Sequence, residues 1–387
     1  MAAHRRGERS SSTFRGAPPL STIVFYISGH GFGHASRDIE VVNALLEADP
    51  GRAIAVRTSA ARWLFDLTVR GPIRYEAVRA DTGIVQHGSL TLDAAASIRE
   101  ARAFMATFPA RVAEEARALT ALGARLVVAD IPALGIAAAR AAGVPAVALG
   151  NFSWDWAYAA YDGAADVVEA IGAAYEGAEL ALRLPMWGGF ERFRRVEDVP
   201  FIARVSRRDP AETRAALGVP ADARVVLASF GGHGVTSGVD LDAIARLDGY
   251  TTLLSASVPF GTGPLEGRSA GRLVVFDETA LYARGFRYED LVRAVDVVVT
   301  KPGYGIIAEC LANDTALLYT SRGAFVEYDV LVREMPGFLR AAFIDQDAFY
   351  AGRWAPALDA LLAQPAPPRR PPTNGAEVVA ARLGDMM

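Results

Sequence analysis

The chain has one cysteine, Cys310, in 387 residues, which excludes an internal disulfide framework. Its five histidines are nowhere grouped with cysteine at zinc spacing, so no structural metal of the usual kind is expected. Long hydrophobic runs are also missing: no stretch of about 18 uninterrupted apolar residues occurs, and a transmembrane segment is not expected. Residues 1–20 carry Arg and Ser without the apolar core of a signal peptide and read as a disordered leader. Neither sign of charge dominates. With 40 Lys and Arg against 44 Asp and Glu, the formal net charge is −4, which gives no electrostatic footprint for nucleic acid as a partner. These absences together suit a cytoplasmic protein.

What remains is a composition of folded globular type, 51% apolar and 22% charged, long enough for two domains. Between residues 21 and 188, β-rich runs (TIVFYIS, RAIAVRTS, PIRYEAV, RLVVAD, PAVALG, LALRLP) alternate with helical patterns. Such alternation predicts a parallel sheet covered by helices on both faces, an α/β class with doubly wound, Rossmann-like domains. The Ala-rich segment 94–122 reads as helix with a kink or break at Pro109. Residues 189–222 read as a linker. The alternation restarts in 223–364 (RVVLASF, TTLLSAS, RLVVF, VDVVVT, TALLYTS, AAFID) and predicts a second α/β domain. Residues 365–387 hold a proline-rich stretch and one short helix that crosses back onto the first domain. Ligands of two such domains in series sit in the cleft at the carboxyl ends of their strands.

Four loops face that cleft. The first, Ser28-Gly29-His30-Gly31-Phe32-Gly33-His34, opens a helix from about Ala35. Gly31 and Gly33 let the backbone approach a ligand at a helix N-terminus. A dinucleotide is disfavoured, because the second strand ends at Arg57-Thr58-Ser59 without the acidic ribose hook. Two histidines in one loop point to proton abstraction near neutral pH, and either His30 or His34 qualifies as base; the bland role for one of them is a helix cap. The second loop, Phe230-Gly231-Gly232-His233-Gly234, presents glycine amides suited to a diphosphate. The third, Thr300-Lys301-Pro302-Gly303-Tyr304-Gly305, precedes a helix in which Glu309 lies one turn on, placed to accept two ribose hydroxyls; complementing the helix dipole is its alternative. Lys301 suits phosphate. The fourth, Arg322 to Asp329, contains Glu327, a ligand for sugar hydroxyls, and Asp329, a helix cap. On the first domain, Asn151, Trp154 and Asp155 combine aromatic and polar groups, and Asp130 closes a strand where it can orient a histidine or hold a hydroxyl. The Asp-x-Asp strings at Asp240 and Asp345 read as helix caps, so no metal is assigned.

The segments SGHGFGHASRDIEVVNALL, GNFSWDWAYAAY, EDVPFIAR, SFGG, KPGYGIIAE, AFVEYDVL and NGAEVVAARL, in that order over nearly the full length, resemble the glycosyltransferase-like N-terminal region of plant L-arabinokinases. The kinase domain of those proteins has no counterpart among these segments. More distantly, the chain resembles the peptidoglycan-precursor N-acetylglucosaminyltransferases. The resemblance implies a GT-B fold of two Rossmann-like domains, an acceptor near the first glycine loop and a nucleotide sugar, UDP-linked by family likeness, in the second domain. Glu309 then corresponds to the glutamate that holds the donor ribose, and Gly303 to Gly305 to the turn beside the diphosphate; Lys301-Pro302 departs from the pattern. The implied activity is metal-independent inverting transfer of a sugar to a hydroxyl acceptor, with a non-catalytic nucleotide-sugar-binding module, or an epimerase or hydrolase, as alternatives. Peripheral membrane contact stays open only through a lipid acceptor.

Overall fold

The computed structural model describes residues 21–87, 90–231, 235, 238–256, 271–323 and 325–387. The leader 1–20, and Gly232 and His233 of the second glycine loop, lie outside the described residues.

In chain order the first half runs β1 (Thr22–Ile27), α1 (Gly33–Ala48), β2 (Ala53–Thr58), α2 (Arg62–Thr68), β3 (Arg74–Ala77), α3 (Ala94–Ala106), α4 (Phe108–Ala121), β4 (Ala124–Asp130), α5 (Ala133–Ala142), β5 (Ala146–Phe152), α6 (Trp154–Ala159), α7 (Ala165–Tyr175), β6 (Leu180–Gly188) and β7 (Val196–Asp198). These strands form one sheet in the order β3-β2-β1-β4-β5-β6-β7, every neighbouring pair parallel. All six residues of β1 are buried, as a central parallel strand with helices on both faces requires. Pro109 falls in the first turn of α4, where its missing N–H is harmless, and the helical stretch breaks at Thr107.

After α8 (Pro210–Ala216) the second half runs β8 (Arg224–Ala228), α9 (Leu241–Ala245), β9 (Tyr250–Ser255), β10 (Leu273–Phe276), α10 (Glu278–Ala283), α11 (Tyr288–Ala294), β11 (Val297–Thr300), α12 (Tyr304–Asn313), β12 (Ala316–Tyr319), α13 (Glu327–Glu334), β13 (Ala341–Phe343), α14 (Gln346–Tyr350), α15 (Ala355–Leu362) and α16 (Gly375–Gly384). Its sheet has the order β10-β9-β8-β11-β12-β13, again parallel throughout. Residues 189–222, read from sequence as a linker, carry β7 and α8; β7 adds the last strand to the first sheet. Asp240 and Asp345 cap α9 and α14 by accepting from Ala243 N and Ala348 N, each at 2.8 Å.

The closing helix α16 packs on α1 of the first domain, with Val379 and Leu383 fully buried. Its entry is pinned by backbone bonds from Phe201 N to Pro372 O (3.2 Å) and from Gly375 N to Phe201 O (2.9 Å). A side chain at Gly375 would place its Cβ 2.3 Å from Pro200 O, so only glycine permits this approach. In each sheet the strand order reverses beside the first strand, between β1 and β4 and between β8 and β11. The loops after β1 and β11 therefore open into one crevice.

Candidate active site

α1 and α12 start on opposite walls of that crevice. Neither has a side-chain cap, so the first backbone N–H groups of both helices are left for a ligand. They nearly touch: a Cβ built on Gly305 would stand 3.6 Å from Gly33 Cα. Two helix dipoles thus aim their positive ends at one place, which favours an anion there. Around this meeting point lies a cavity of about 770 Å³, within the usual range for small-molecule sites. Of the sequence-derived site residues, His30, Gly31, Gly33, His34, Asn151, Phe230, Gly231, Lys301, Gly303, Tyr304, Gly305, Glu309 and Glu327 line it. Gly31 and Gly231 take φ of 76° and 68°, a region open to glycine at little cost.

His34 sits in the first turn of α1 with its Nδ1 2.9 Å from Asp130 Oδ1. Asp130, at the end of β4, is fully buried. Burial opposes its charged form, but Arg37 and His34 outweigh burial and hold its carboxyl below the usual range. Nδ1 faces both this carboxylate and, at 3.0 Å, an Arg37 NH2 group; with the ring proton directed at the carboxylate, Nε2 is the basic nitrogen, and it has no hydrogen-bond partner among the described residues. Phe152 and Trp154 brace the ring at 5.7 and 6.4 Å.

His30 is placed differently. The amide of Ile84 points at its Nδ1 (3.4 Å) and the Gln86 side-chain amide lies 3.1 Å from its Nε2. Both ring nitrogens are thus met by groups of the protein, and neither lone pair is presented to the cavity.

Sequence reasoning assigned no role to Arg37, one turn after His34. Its Nε donates to Asp130 Oδ2 (2.5 Å), one NH2 group contacts Asp130 Oδ1, and the other NH2 group donates to Asn151 Oδ1 (2.8 Å). Asn151 Nδ2 in turn donates to Glu327 Oε1 (2.9 Å), whose other oxygen accepts from Arg322 (3.2 Å). A continuous polar chain thus crosses the cleft from His34 to Glu327. Beside it, Asp38 is fully buried with no donor to either oxygen among the described residues. Burial, and then the charge of Asp130, raise its pKa well above its ordinary value, which favours the neutral acid.

At the far end of the cavity, Arg204 Nε donates to Glu309 Oε1 (2.6 Å). Burial pushes the Glu309 carboxyl up to about 6 against the pull of Arg204. Lys301 makes no ion pair or side-chain hydrogen bond among the described residues; burial, reinforced by Arg322, brings its pKa down to about 7. Tyr304 gives its hydroxyl to the fold, accepting from Ile202 N (3.1 Å), while its ring lies 5.3 Å beneath the Arg37 guanidinium.

Three expected positions stand outside the cavity lining: Asp130, which acts through His34 and Arg37, and Trp154 and Asp155. Trp154 lies behind the histidines, with its indole N–H given to Asp81 (2.9 Å). Asp155 is buried in α6, one carboxylate oxygen without a partner among the described residues. Both follow a fully buried strand and continue into the core, as most such aromatic clusters do. The cationic residues Arg37, Arg204 and Arg322 took their place in the site.

No protein-family model matches the chain. It is 31% identical over 346 residues to L-arabinokinase of Arabidopsis thaliana, a match that takes 87% of this chain and 32% of the relative. The chain therefore spans about a third of that curated relative's length, and the name of the longer protein describes that protein. Similar solved structures include the glycosyltransferase of kitacinnamycin (TM-score 0.60, 15% identity, covering 96% of this chain and 100% of that one). The calicheamicin glycosyltransferase CalG4 gives a TM-score of 0.59 at 17% identity, covering 95% and 97%. UGT2 of Phytolacca americana, complexed with UDP-2-fluoro-glucose and pterostilbene, gives 0.60 at 13%, covering 95% and 94%. The chain has the GT-B glycosyltransferase fold.

Proposed function

We propose that the chain is an inverting glycosyltransferase that moves a sugar from a UDP-sugar to a hydroxyl acceptor without an obligatory metal. The observation that carries this reading is the meeting of two uncapped helix N-termini at Gly33 and Gly305 in one cavity with His34 on Asp130. UDP is the nucleotide named for the Phytolacca americana neighbour. Glu309 takes the ribose hydroxyls. The amides of Gly303 to Gly305 and of Gly231, with Lys301, take the diphosphate, and Glu327 takes sugar hydroxyls.

In the reaction, His34 Nε2 removes the acceptor proton as the acceptor oxygen bonds to the anomeric carbon. The bond from that carbon to the diphosphate oxygen breaks, and its electron pair leaves with the diphosphate. Asp130 stabilises the imidazolium so formed, and the helix N-termini with Lys301 stabilise the leaving group. Closure of the two domains excludes water, which would otherwise take the sugar.

A second reading, a non-catalytic nucleotide-sugar-binding module, draws on one observation: Asp130 and Glu309 are both already paired, with Arg37 and Arg204. A thermal-shift panel of nucleoside diphosphates and their sugars, repeated on Glu309→Ala, tests the donor site. A ligand at 100 times its Kd adds about 2.7 kcal/mol. A shift with UDP and its sugars, lost in the variant, supports the donor site; no shift with any nucleotide ends the transferase reading. Saturable binding with neither transfer nor donor consumption supports the module, and donor consumption without an acceptor a hydrolase or epimerase.

A further inference from the structure

We infer that the donor sugar is a hexuronic acid and that Arg322 reads its carboxylate. This rests on the donor-site reading above and names the sugar within it.

The residues along the cavity fall in an order. Glu309 and Arg204, with Tyr288 5.2 Å from the Arg204 guanidinium, form the ribose end. The helix N-termini at Gly33 and Gly305 and Lys301 follow. Arg322 lies beyond them, at the end nearest His34. Its guanidinium stacks 4.5 Å from the Phe325 ring, which packs 6.4 Å from His30 and 5.9 Å from Phe152; Phe152 in turn touches the His34 ring. A group at this position meets the transferred sugar, one step past the diphosphate.

The charges there do not balance. Arg322 is 7% exposed, and it lies near enough to Lys301 to disfavour that residue's charge. The carboxylate set against them is Glu327, which divides its two oxygens between Arg322 and Asn151. Arg322 uses one NH2 group on Glu327. Its Nε is buried without an acceptor, and the second NH2 group makes no hydrogen bond among the described residues. Burial lowers the pKa of this guanidinium despite Glu327, as expected of a cation that lacks full compensation.

A largely buried guanidinium with only one NH2 group paired is costly unless an anion meets the other. The diphosphate has the helix N-termini and Lys301. A neutral hexose needs only hydroxyl partners, which Glu327 and Asn151 supply. A carboxylate at C5 of the sugar suits the unpaired NH2 group through a charge-assisted N–H···O bond, while the ring hydroxyls keep Glu327.

Titration calorimetry with UDP, UDP-glucose and UDP-glucuronate on the full chain and on Arg322→Gln tests the inference. The wild type binds the glucuronate at least about tenfold more tightly than the glucose, the size of one charge-assisted pair. Arg322→Gln brings that ratio to about one and leaves UDP itself bound as before. Equal affinity for both sugars in the wild type overturns the inference and leaves the donor site standing. Equal weakening of all three ligands in Arg322→Gln assigns Arg322 to the diphosphate and also overturns it. If none of the three binds the wild type, the donor site fails and the inference goes with it. Should Arg322→Gln not fold, Arg322→Met takes its place: loss of the charge brings the ratio to about one, and an unchanged ratio overturns the inference.

Discussion

His30 and His34 lie four residues apart in one loop, yet their ring nitrogens meet opposite surroundings. Nε2 of His34 has no partner among the described residues while its Nδ1 is on Asp130; both nitrogens of His30 face donors of the protein. Once a transfer assay exists, His34→Ala lowers turnover at least about a hundredfold with donor affinity kept, whereas His30→Ala costs much less. Equal losses in the two variants would remove His34 as the base. Donor binding carries its own pH window. As pH falls through about 6, Glu309 gains a proton and with it loses the charge and one of the two oxygens that accept from ribose hydroxyls. As pH rises through about 7, Lys301 loses the charge that faces the diphosphate. Affinity is therefore highest between those values and falls by up to about tenfold per pH unit outside them. Calorimetry across this range checks it: Glu309→Gln flattens the acid limb and Lys301→Met the alkaline one. The glycine spacing, the paired histidines and Glu309 were legible in the sequence because strand, loop and helix turn stand in fixed register. Arg37, Arg204 and Arg322 were not, since an arginine in a helix or loop ordinarily points to water, and only the tertiary fold buries these three.

Among the elements, the strand and helix alternation was legible because central parallel strands read as short apolar runs. β7 was not. Its three residues, none buried, have too little pattern to stand out from a connector. The return of the final helix was anticipated, but its partner α1 could not be read from the sequence, because an amphipathic face does not name what covers it. That partner gives α16 a functional consequence, for α1 also carries His34 and Arg37. Leu383 is fully buried at the contact, and Leu383→Ala is expected to cost about 2–5 kcal/mol in denaturant unfolding. Arg382, paired with Glu197 at 2.8 Å, is partly exposed, and Arg382→Ala is expected to cost about 1 kcal/mol or less. If the two variants lose stability equally, the burial of α16 against α1 is not what secures the carboxyl end.

On the scale of the whole molecule, the two domains meet through groups that also belong to the site: Gly33 against Gly305, Arg37 over Tyr304 and Asn151 on Glu327. Asn151 is the joint of this contact, since it donates to Glu327 of the second domain and accepts from Arg37 of the first. Replacing it by alanine leaves a buried guanidinium and a buried carboxylate each short of one partner, a loss worth about 1.5–3 kcal/mol where a charged group is involved. The loss acts only in the closed form, because in an open cleft water satisfies both groups. Asn151→Ala therefore shifts the molecule toward opening, and two measurements follow. Small-angle scattering of the ligand-free variant gives a larger radius of gyration than the wild type. In the presence of donor and acceptor, the share of donor lost to water rises relative to transfer, since an open cleft no longer excludes it. A variant that stays as compact as the wild type and wastes no more donor would show that Asn151 only aligns Glu327, and that closure is held by the two glycine loops and the Arg37–Tyr304 contact instead.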